Sequence, residues 1–302
     1  MIKQEINELK RLYTPSNCSI TRICGCYVDG EKNKKTEFKE AFLSLPEEEI
    51  FKYFELLRKT LSGSLGKNLL NLDFPLASEQ EGGTQAALLA LRDSKLKDDA
   101  LIEEFYDRVI NTYEYVGNYL ILLIHDAYDV PGKTTDGLTM DDASDTVFEY
   151  IMCCICPVNL SKPGLSYDNI NNEFHNRIRD WVVEMPETGF LFPSFNDRAT
   201  DIHSTLFYSK NPEEAHSEFV ENILGCTLPL SAGTQKEAFQ ALIEETLGDE
   251  VEYEVVKNIH ENLAEMIEEH KEIPEPLTLD KHQVKSLFEK SGVKEEKLTD
   301  FD

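Results

Sequence analysis

A chain of 302 residues with 41% hydrophobic content is long enough to bury a core without disulfide or metal staples. Its formal charge of -27 opposes free phosphate backbones, which disfavours nonspecific capture of nucleic acid. The start, Met1-Ile-Lys-Gln-Glu-Ile-Asn-Glu, has no basic n-region followed by an apolar h-region, and no apolar run reaches the roughly 20 residues that cross a bilayer. These features predict a soluble cytoplasmic protein with no membrane partner. Seven cysteines, an odd count lying mostly inside apolar segments, suit a reducing compartment. The densest basic cluster, Lys32, Lys34 and Lys35, is too small to offset the acidic balance.

Apolar residues at Ile2, Ile6, Leu9 and Leu12 predict a short leading helix ended by Thr14-Pro15. Ser19–Val28 reads as a strand, Asp29-Gly30 opens a polar connection, and Thr36–Leu43 returns as its partner. Ser44-Leu-Pro-Glu47 has the form of a capping box, with Ile50, Phe54, Leu57 and Leu61 as the buried face of the helix behind it and Gly63 as its stop. Leu69–Leu76 is a strand ending at Pro75, followed by helices over Gln85–Asp93 and Asp98–Tyr115.

Tyr119–His125 and Val147–Cys156 are continuous apolar runs without alternation, which places them in the middle of a sheet covered on both faces. Arg177–Val183, Gly189–Phe195 and His203–Tyr208 are weaker strands, with Pro186 and Pro193 favouring edges or turns. From Asn211 the pattern turns helical. Asn211-Pro-Glu-Glu214 and Thr234-Gln-Lys-Glu237 are further capping boxes, Phe219 to Leu224 ends at Gly225, and Val251–Glu269 and Leu279–Gly292 add two more helices. Ile273-Pro-Glu-Pro276 reads as a linker, and Glu295–Phe301 as a helix that the chain does not finish, as in a piece of a longer protein.

The predicted fold class is α+β: a mainly antiparallel sheet with packed helices, followed by an all-α C-terminal region. The expected organisation is an α+β domain over 1-210, an acidic helical region over 211-275, and a linker with the start of a further helical unit over 276-302.

The segment Ala127–Thr134 matches the letters of a loose phosphate-binding loop, which makes Tyr128, Asp129, Gly132, Lys133 and Thr134 candidate ligand residues. Such a loop cradles phosphate with successive amides at the start of a helix. Here Pro131 removes an amide, Asp129 sets a carboxylate toward the anion, and Thr135-Thr-Asp-Gly-Leu-Thr gives no amphipathic helix. A surface connection between two central strands, with Asp129-Val-Pro-Gly132 as its turn, is the favoured reading. Asp136, Asp141, Asp142 and Asp145 lack the regular oxygen-ligand spacing of a calcium loop and read as a solvated acidic stretch.

Cys24 with Cys26, and Cys154 with Cys156, put two sulfurs each on one face of a strand, where four would meet if the strands were neighbours. Zinc knuckles use tighter spacings, so these are read as small buried hydrophobes. His125-Asp126 at a strand end could assist a nucleophile, yet no nucleophile elbow accompanies it. No catalytic residue, metal or cofactor is assigned.

Ile20-Thr-Arg-Ile-Cys-Gly-Cys-Tyr-Val-Asp-Gly30, Tyr128-Asp-Val-Pro-Gly-Lys-Thr134 and Cys156–Tyr167 together resemble an uncharacterised bacterial family, a domain of unknown function of the 4317 type, over nearly the whole chain. The resemblance implies bacterial, cytoplasmic origin and no established activity or site residues. Phe219-Val-Glu-Asn-Ile-Leu-Gly-Cys226 with the helices after Thr234 is similar to a segment of bacterial nucleoid-associated proteins. The leading functional expectation is a non-enzymatic interaction or scaffold protein, with the acidic helical region after Lys210 as the part that binds a protein partner. The alternatives are a nucleoid-associated-like protein and a phosphate- or nucleotide-handling enzyme using the 127–134 loop.

Overall fold

The computed structural model describes residues 1–133, 139–140, 146–229, 232–247, 253–270, 277–294 and 298. The expectations for Thr134, for the acidic residues Asp136, Asp141, Asp142 and Asp145, for the linker at 273–276 and for a last helix from 295 lie outside these described residues.

The amphipathic start folds as α1 (Lys3–Lys10), with Ile6 and Leu9 buried. β1 (Ile20–Val28) and β2 (Lys34–Ala41) form the first hairpin. Asp29 organises its turn, Oδ1 accepting from the amides of Glu31 and Asn33 at 3.0 and 2.9 Å. α2 (Glu47–Thr60) follows, but the capping box expected at Ser44 does not form. Ser44 sits in a 3-10 turn over Phe42–Ser44 and donates back to the Ala41 carbonyl at 2.7 Å. Pro46 is the reason: it forces the residue before it out of helical geometry, and Leu45 is extended with ψ 153°. The helix therefore begins after the proline, at Glu47, where Glu47, Glu48 and Glu49 face the positive end of its dipole.

β3 (Leu69–Asp73), α3 (Thr84–Asp93) and α4 (Asp99–Thr112) come next. Asp98 caps α4, accepting from the amides of Ala100 and Leu101 at 2.9 and 3.3 Å. The strands after it are β4 (Asn118–Asp129), β5 (Gly132–Lys133), β6 (Thr139–Met140), β7 (Val147–Leu160), β8 (Leu165–Asp168), β9 (Glu173–Asn176) and β10 (Trp181–Val183). β11 (Thr188–Phe192), β12 (Ser194–Asn196), β13 (Ala199–Asp201) and β14 (Ser204–Ser209) complete the set.

The main sheet runs β2-β1-β4-β7-β11-β14-β3, with β10 also on β7, and every pairing is antiparallel. β4 and β7 are its middle strands, in register from Asn118↔Val158 to Asp129↔Val147. β11 and β14 are interior strands, buried along their whole length. The proline that weakened the sequence signal, Pro193, falls just after β11 and divides it from β12. Of Arg177–Val183 only Trp181–Val183 is strand.

Helices cover both faces of the sheet, which is why β4 and β7 are apolar at consecutive positions. On one face Ile6, Leu9, Phe54 and Leu57 pack with Leu122, Ile124, Tyr150 and Met152. On the other, Leu88, Ile102 and Tyr106 pack with Ile121, Leu123, Cys153 and Ile155. α5 (Ser217–Phe219) continues into a π turn over Val220–Leu224, ended by Gly225 at φ 70°. Phe219, Val220, Ile223 and Leu224 are fully buried in the second of these cores, so the first unit extends past Lys210 to Leu228.

The second unit, Pro229–Asp302, is helical. α6 (Ala232–Leu247) starts two residues before Thr234, which puts Thr234 inside the helix and not at its cap. α7 (Tyr253–His270) and α8 (Lys281–Lys290) pack through Ile259, Leu287 and Phe288. A reciprocal capping box starts α8, the Gln283 amide donating to Asp280 at 2.7 Å and the Asp280 amide to Gln283 at 2.9 Å. Among the described residues, no helix is long and apolar enough to cross a membrane.

Candidate functional site

Tyr128 and Asp129 are the last residues of β4, and Gly132 and Lys133 form β5 against β6. The ladder therefore continues through the segment expected to reverse the chain: Asp129 pairs with Val147, the Val130 amide donates to the Thr146 carbonyl at 3.0 Å, and Gly132 and Lys133 pair with Met140 and Thr139. Pro131 has no amide to give, so it interrupts the ladder without turning it. Gly132 and Lys133 lie in extended backbone, not at a helix start. The Tyr128 hydroxyl donates to Glu8 at 2.8 Å, and Arg198 joins Glu8 to the Pro131 carbonyl, the latter at 2.8 Å. These contacts fasten the end of β4 to α1.

His125 and Asp126 are neighbours in sequence and occupy opposite faces of β4, because side chains alternate along a strand. Their joint use on a nucleophile is ruled out by this geometry. Asp126 is fully buried on the α1/α2 side, accepting from the Tyr150 hydroxyl at 2.7 Å and the Ala127 amide at 2.8 Å. Tyr150 in turn meets the Tyr13 hydroxyl at 3.0 Å. Burial pushes the Asp126 carboxyl above its ordinary value, against the pull of the Tyr150 hydrogen bond.

A carboxyl raised in the fold stays protonated there after the unfolded chain has ionised. Its stabilisation is full below the unfolded value near 3.8 and is lost as pH rises through the folded one. Asp126→Asn, which keeps an oxygen for the Ala127 amide and can donate to Tyr150, is expected to stabilise the chain by about 1–2 kcal/mol at neutral pH. Urea midpoints across pH check this: the gain should shrink toward pH 4, and a lower midpoint for the variant at pH 7 would refute it.

The cysteine pairs do not meet. β4 lies between β1 and β7, Cys24 and Cys26 point to the α3/α4 face, and Cys154 and Cys156 point to the α1/α2 face. Six of the seven are buried, all are free, and burial pushes Cys26 and Cys154 up to about 12. They serve as small core residues. Among the described residues, no group of three or more His, Cys, Asp or Glu is placed to hold a metal ion. In the segment expected to resemble a nucleoid-associated protein, Phe219, Val220, Ile223, Leu224 and Cys226 are buried in the second core, which leaves Glu221 and Asn222 as its exposed side chains.

The unusual surface lies elsewhere. Past Val158, where β4 ends its pairing, β7 runs on as one arm of a two-stranded ribbon whose other arm is β9 and β10. Trp181↔Leu160, the Ser161 amide on the Asp180 carbonyl at 2.8 Å, the Arg177 amide on the Gly164 carbonyl at 2.9 Å and Leu165↔Asn176 keep one register along it. Asp168 folds the tip, accepting from the Ile170 and Asn171 amides at 2.8 and 3.3 Å.

The ribbon tip is amphipathic with its apolar face outward. Register puts Leu165, Tyr167 and Phe174 on one face, and Ser166, Asp168, Glu173 and His175 on the other. Tyr167 and Phe174 sit with ring centroids 5.2 Å apart. Leu165, Tyr167 and Phe174 are 73%, 53% and 73% exposed, followed by Ile170 at the tip and Ile178 behind it at 88% and 77%. Nine of the seventeen exposed large apolar side chains among the described residues fall between 165 and 185. The rest are scattered, which makes this stretch a patch and not background.

The contrast with the sheet edge at β2 is instructive. β2 carries Lys34, Lys35, Glu37, Lys39 and Glu40, charges that discourage pairing with another chain. β10, exposed at all three residues and paired only with β7 among the described residues, carries Trp181, Val182 and Val183. The sequence reading missed the ribbon tip. Its signal is present in Leu-Ser-Tyr-Asp-Asn-Ile-Asn-Asn-Glu-Phe-His-Asn, with alternation on either side of an asparagine-rich turn.

The sheet sandwiched between helices defines an α+β protein, followed by an all-helical unit. More particularly, the chain belongs to the family described as Domain of unknown function (DUF4317), whose model matches residues 1–302. No curated protein matches the chain in sequence.

Proposed function

We propose that this chain is a non-enzymatic interaction protein whose contact element is the apolar face of the β8–β9 ribbon. The observation that carries the reading is the exposure of Leu165, Tyr167 and Phe174 together on one face, shared with Asn176, while Ser166, Asp168, Glu173 and His175 take the other. A folded chain gains by burying such side chains, and a large apolar patch left outside marks a contact with another molecule. The seven free cysteines agree with work in a reducing compartment such as the cytoplasm.

The test is a photo-activatable residue placed at Phe174, compared with the same residue at Ser166 on the polar face, in the native host. A covalent protein adduct from position 174 and little or none from 166 is the expected result. An unmodified chain at 174 after irradiation would remove the interaction reading.

A further inference from the structure

We infer that the occupant of the ribbon's apolar face is the same face of a second copy of this chain, an inference that rests on the interaction reading above. Three observations converge on a copy as the occupant.

The first is charge. Residues 161–180 hold three cations, Lys162, Arg177 and Arg179, against three acids, Asp168, Glu173 and Asp180, so this segment is neutral within a chain of net charge -27. A neutral segment adds nothing to the repulsion between two acidic copies, so contact through the ribbon brings no like charges of its own together.

The second is area. Large aromatic side chains bury roughly 150–250 Å² each, so the exposed parts of Leu165, Tyr167, Phe174 and Ile178 amount to roughly 500 Å² per copy. Two facing copies reach the approximately 1,000 Å² that a specific interface requires.

The third is the ribbon's own weakness. Beyond Val158 it is two strands wide and, among the described residues, exposed at nearly every position from 162 to 185, an arrangement of marginal stability in water unless another layer covers it. A twofold arrangement supplies that layer to both copies at once, apolar face on apolar face, and leaves Ser166, Asp168, Glu173 and His175 in solvent.

The experiment is sedimentation equilibrium of the full chain across the micromolar range at low and high sodium chloride. Twice the chain mass is expected, with association strengthening as salt rises, because screening relieves the repulsion between two acidic copies. Tyr167→Ser with Phe174→Ser should weaken the association roughly ten-fold or more, as for central aromatic contacts. Both side chains are solvent-facing, so the far-ultraviolet circular dichroism should not change. Ser166→Asp, on the polar face, should leave the association intact.

A wild-type chain that stays monomeric at every concentration overturns the inference, as does a dimer that survives the double variant. If position 174 meanwhile crosslinks to a different protein, the copy is refuted and the interaction reading stands. If it crosslinks to nothing, both fall.

Discussion

Replacing Gly189 by alanine is expected to destabilise the first unit by about 3 kcal/mol or more, the upper range for overpacking a core. Gly189 lies in β11 opposite Cys154 of β7, at the point where the last turn of α2 comes down onto the sheet. A Cβ there would stand 2.3 Å from the Cys153 carbonyl oxygen, 2.9 Å from Thr60 Cγ2 and 3.3 Å from Cys154 Cα. The nearest of these is backbone within a paired strand, so nothing soft can move aside. Thr60 is itself held, its hydroxyl donating to the Leu56 carbonyl at 3.2 Å and lying 3.1 Å from Cys154 Sγ. Urea unfolding followed by circular dichroism measures the loss. Thr60→Ser in the same chain should restore only a small part of it, because it removes the methyl contact and leaves the Cys153 carbonyl. Wild-type stability in Gly189→Ala would show that β11 does not approach the Cys153 carbonyl of β7 this closely.

The second large effect is acid destabilisation through His125. Its imidazole is fully buried on the α3/α4 face, with Nδ1 2.7 Å from Thr21 Oγ1 and Nε2 without a hydrogen-bond partner among the described residues. Thr21 is the extra residue where β1 and β4 slip register, and its hydroxyl also reaches the His125 carbonyl at 3.2 Å. Protonating the ring would bury a cation with one N–H unsatisfied, near Arg92, Lys95 and Lys97, with Glu149 as the opposing charge. Burial is the main reason that its pKa is held down at about 4, below the ordinary 6.5.

The unfolded chain takes up this proton as pH drops below about 6.5 and the folded chain refuses it until about 4. The stabilisation is therefore full above 6.5 and lost across that interval, on the order of 3 kcal/mol. His125→Phe removes the titration while filling a similar space. The difference in urea midpoint between wild type and variant should change between pH 7 and pH 4, and the other histidines cancel in that difference. A constant difference across the interval would mean that the ring reaches solvent. Asp126, one residue on and facing the opposite core, has the reverse dependence, so adjacent positions of β4 set opposite pH responses.

Much of the fold was legible because it follows from local pattern. The continuous apolar runs at Tyr119–His125 and Val147–Cys156 marked strands covered on both faces, and these are the middle of the sheet. The leading helix, the first hairpin and the helices at Gln85–Asp93 and Asp98–Tyr115 were readable from spacing and breakers. Expectations failed where two local signals competed. At Ser44 the capping letters met a proline that held Leu45 extended, and the proline prevailed. At Asp129–Gly132 the turn letters met a ladder already paired for twelve residues, and the pairing carried through.

The functional reading shifted for a related reason. Attention to chemical letters led to Tyr128, Asp129, Gly132 and Lys133, of which Tyr128 is tied to α1 and Gly132 and Lys133 sit in extended pairing. The ribbon contains no reactive motif, and its interest lies in an absence of cover that only three dimensions reveal. Leu165, Tyr167 and Phe174 look in sequence like any alternating strand awaiting a core.

The sequence by itself determined what depends on neighbours within a few residues: the acidic balance, the free cysteines, the α+β class and the identity of the central strands. Tertiary structure alone decided which side chains share a face and which face is covered. It separated His125 from Asp126 and Cys24 from Cys154, brought Thr60 onto Gly189, and left the ribbon's apolar side open. The physical reason is that periodicity tells a residue's direction relative to its own strand, while burial depends on whether a distant segment arrives to cover it.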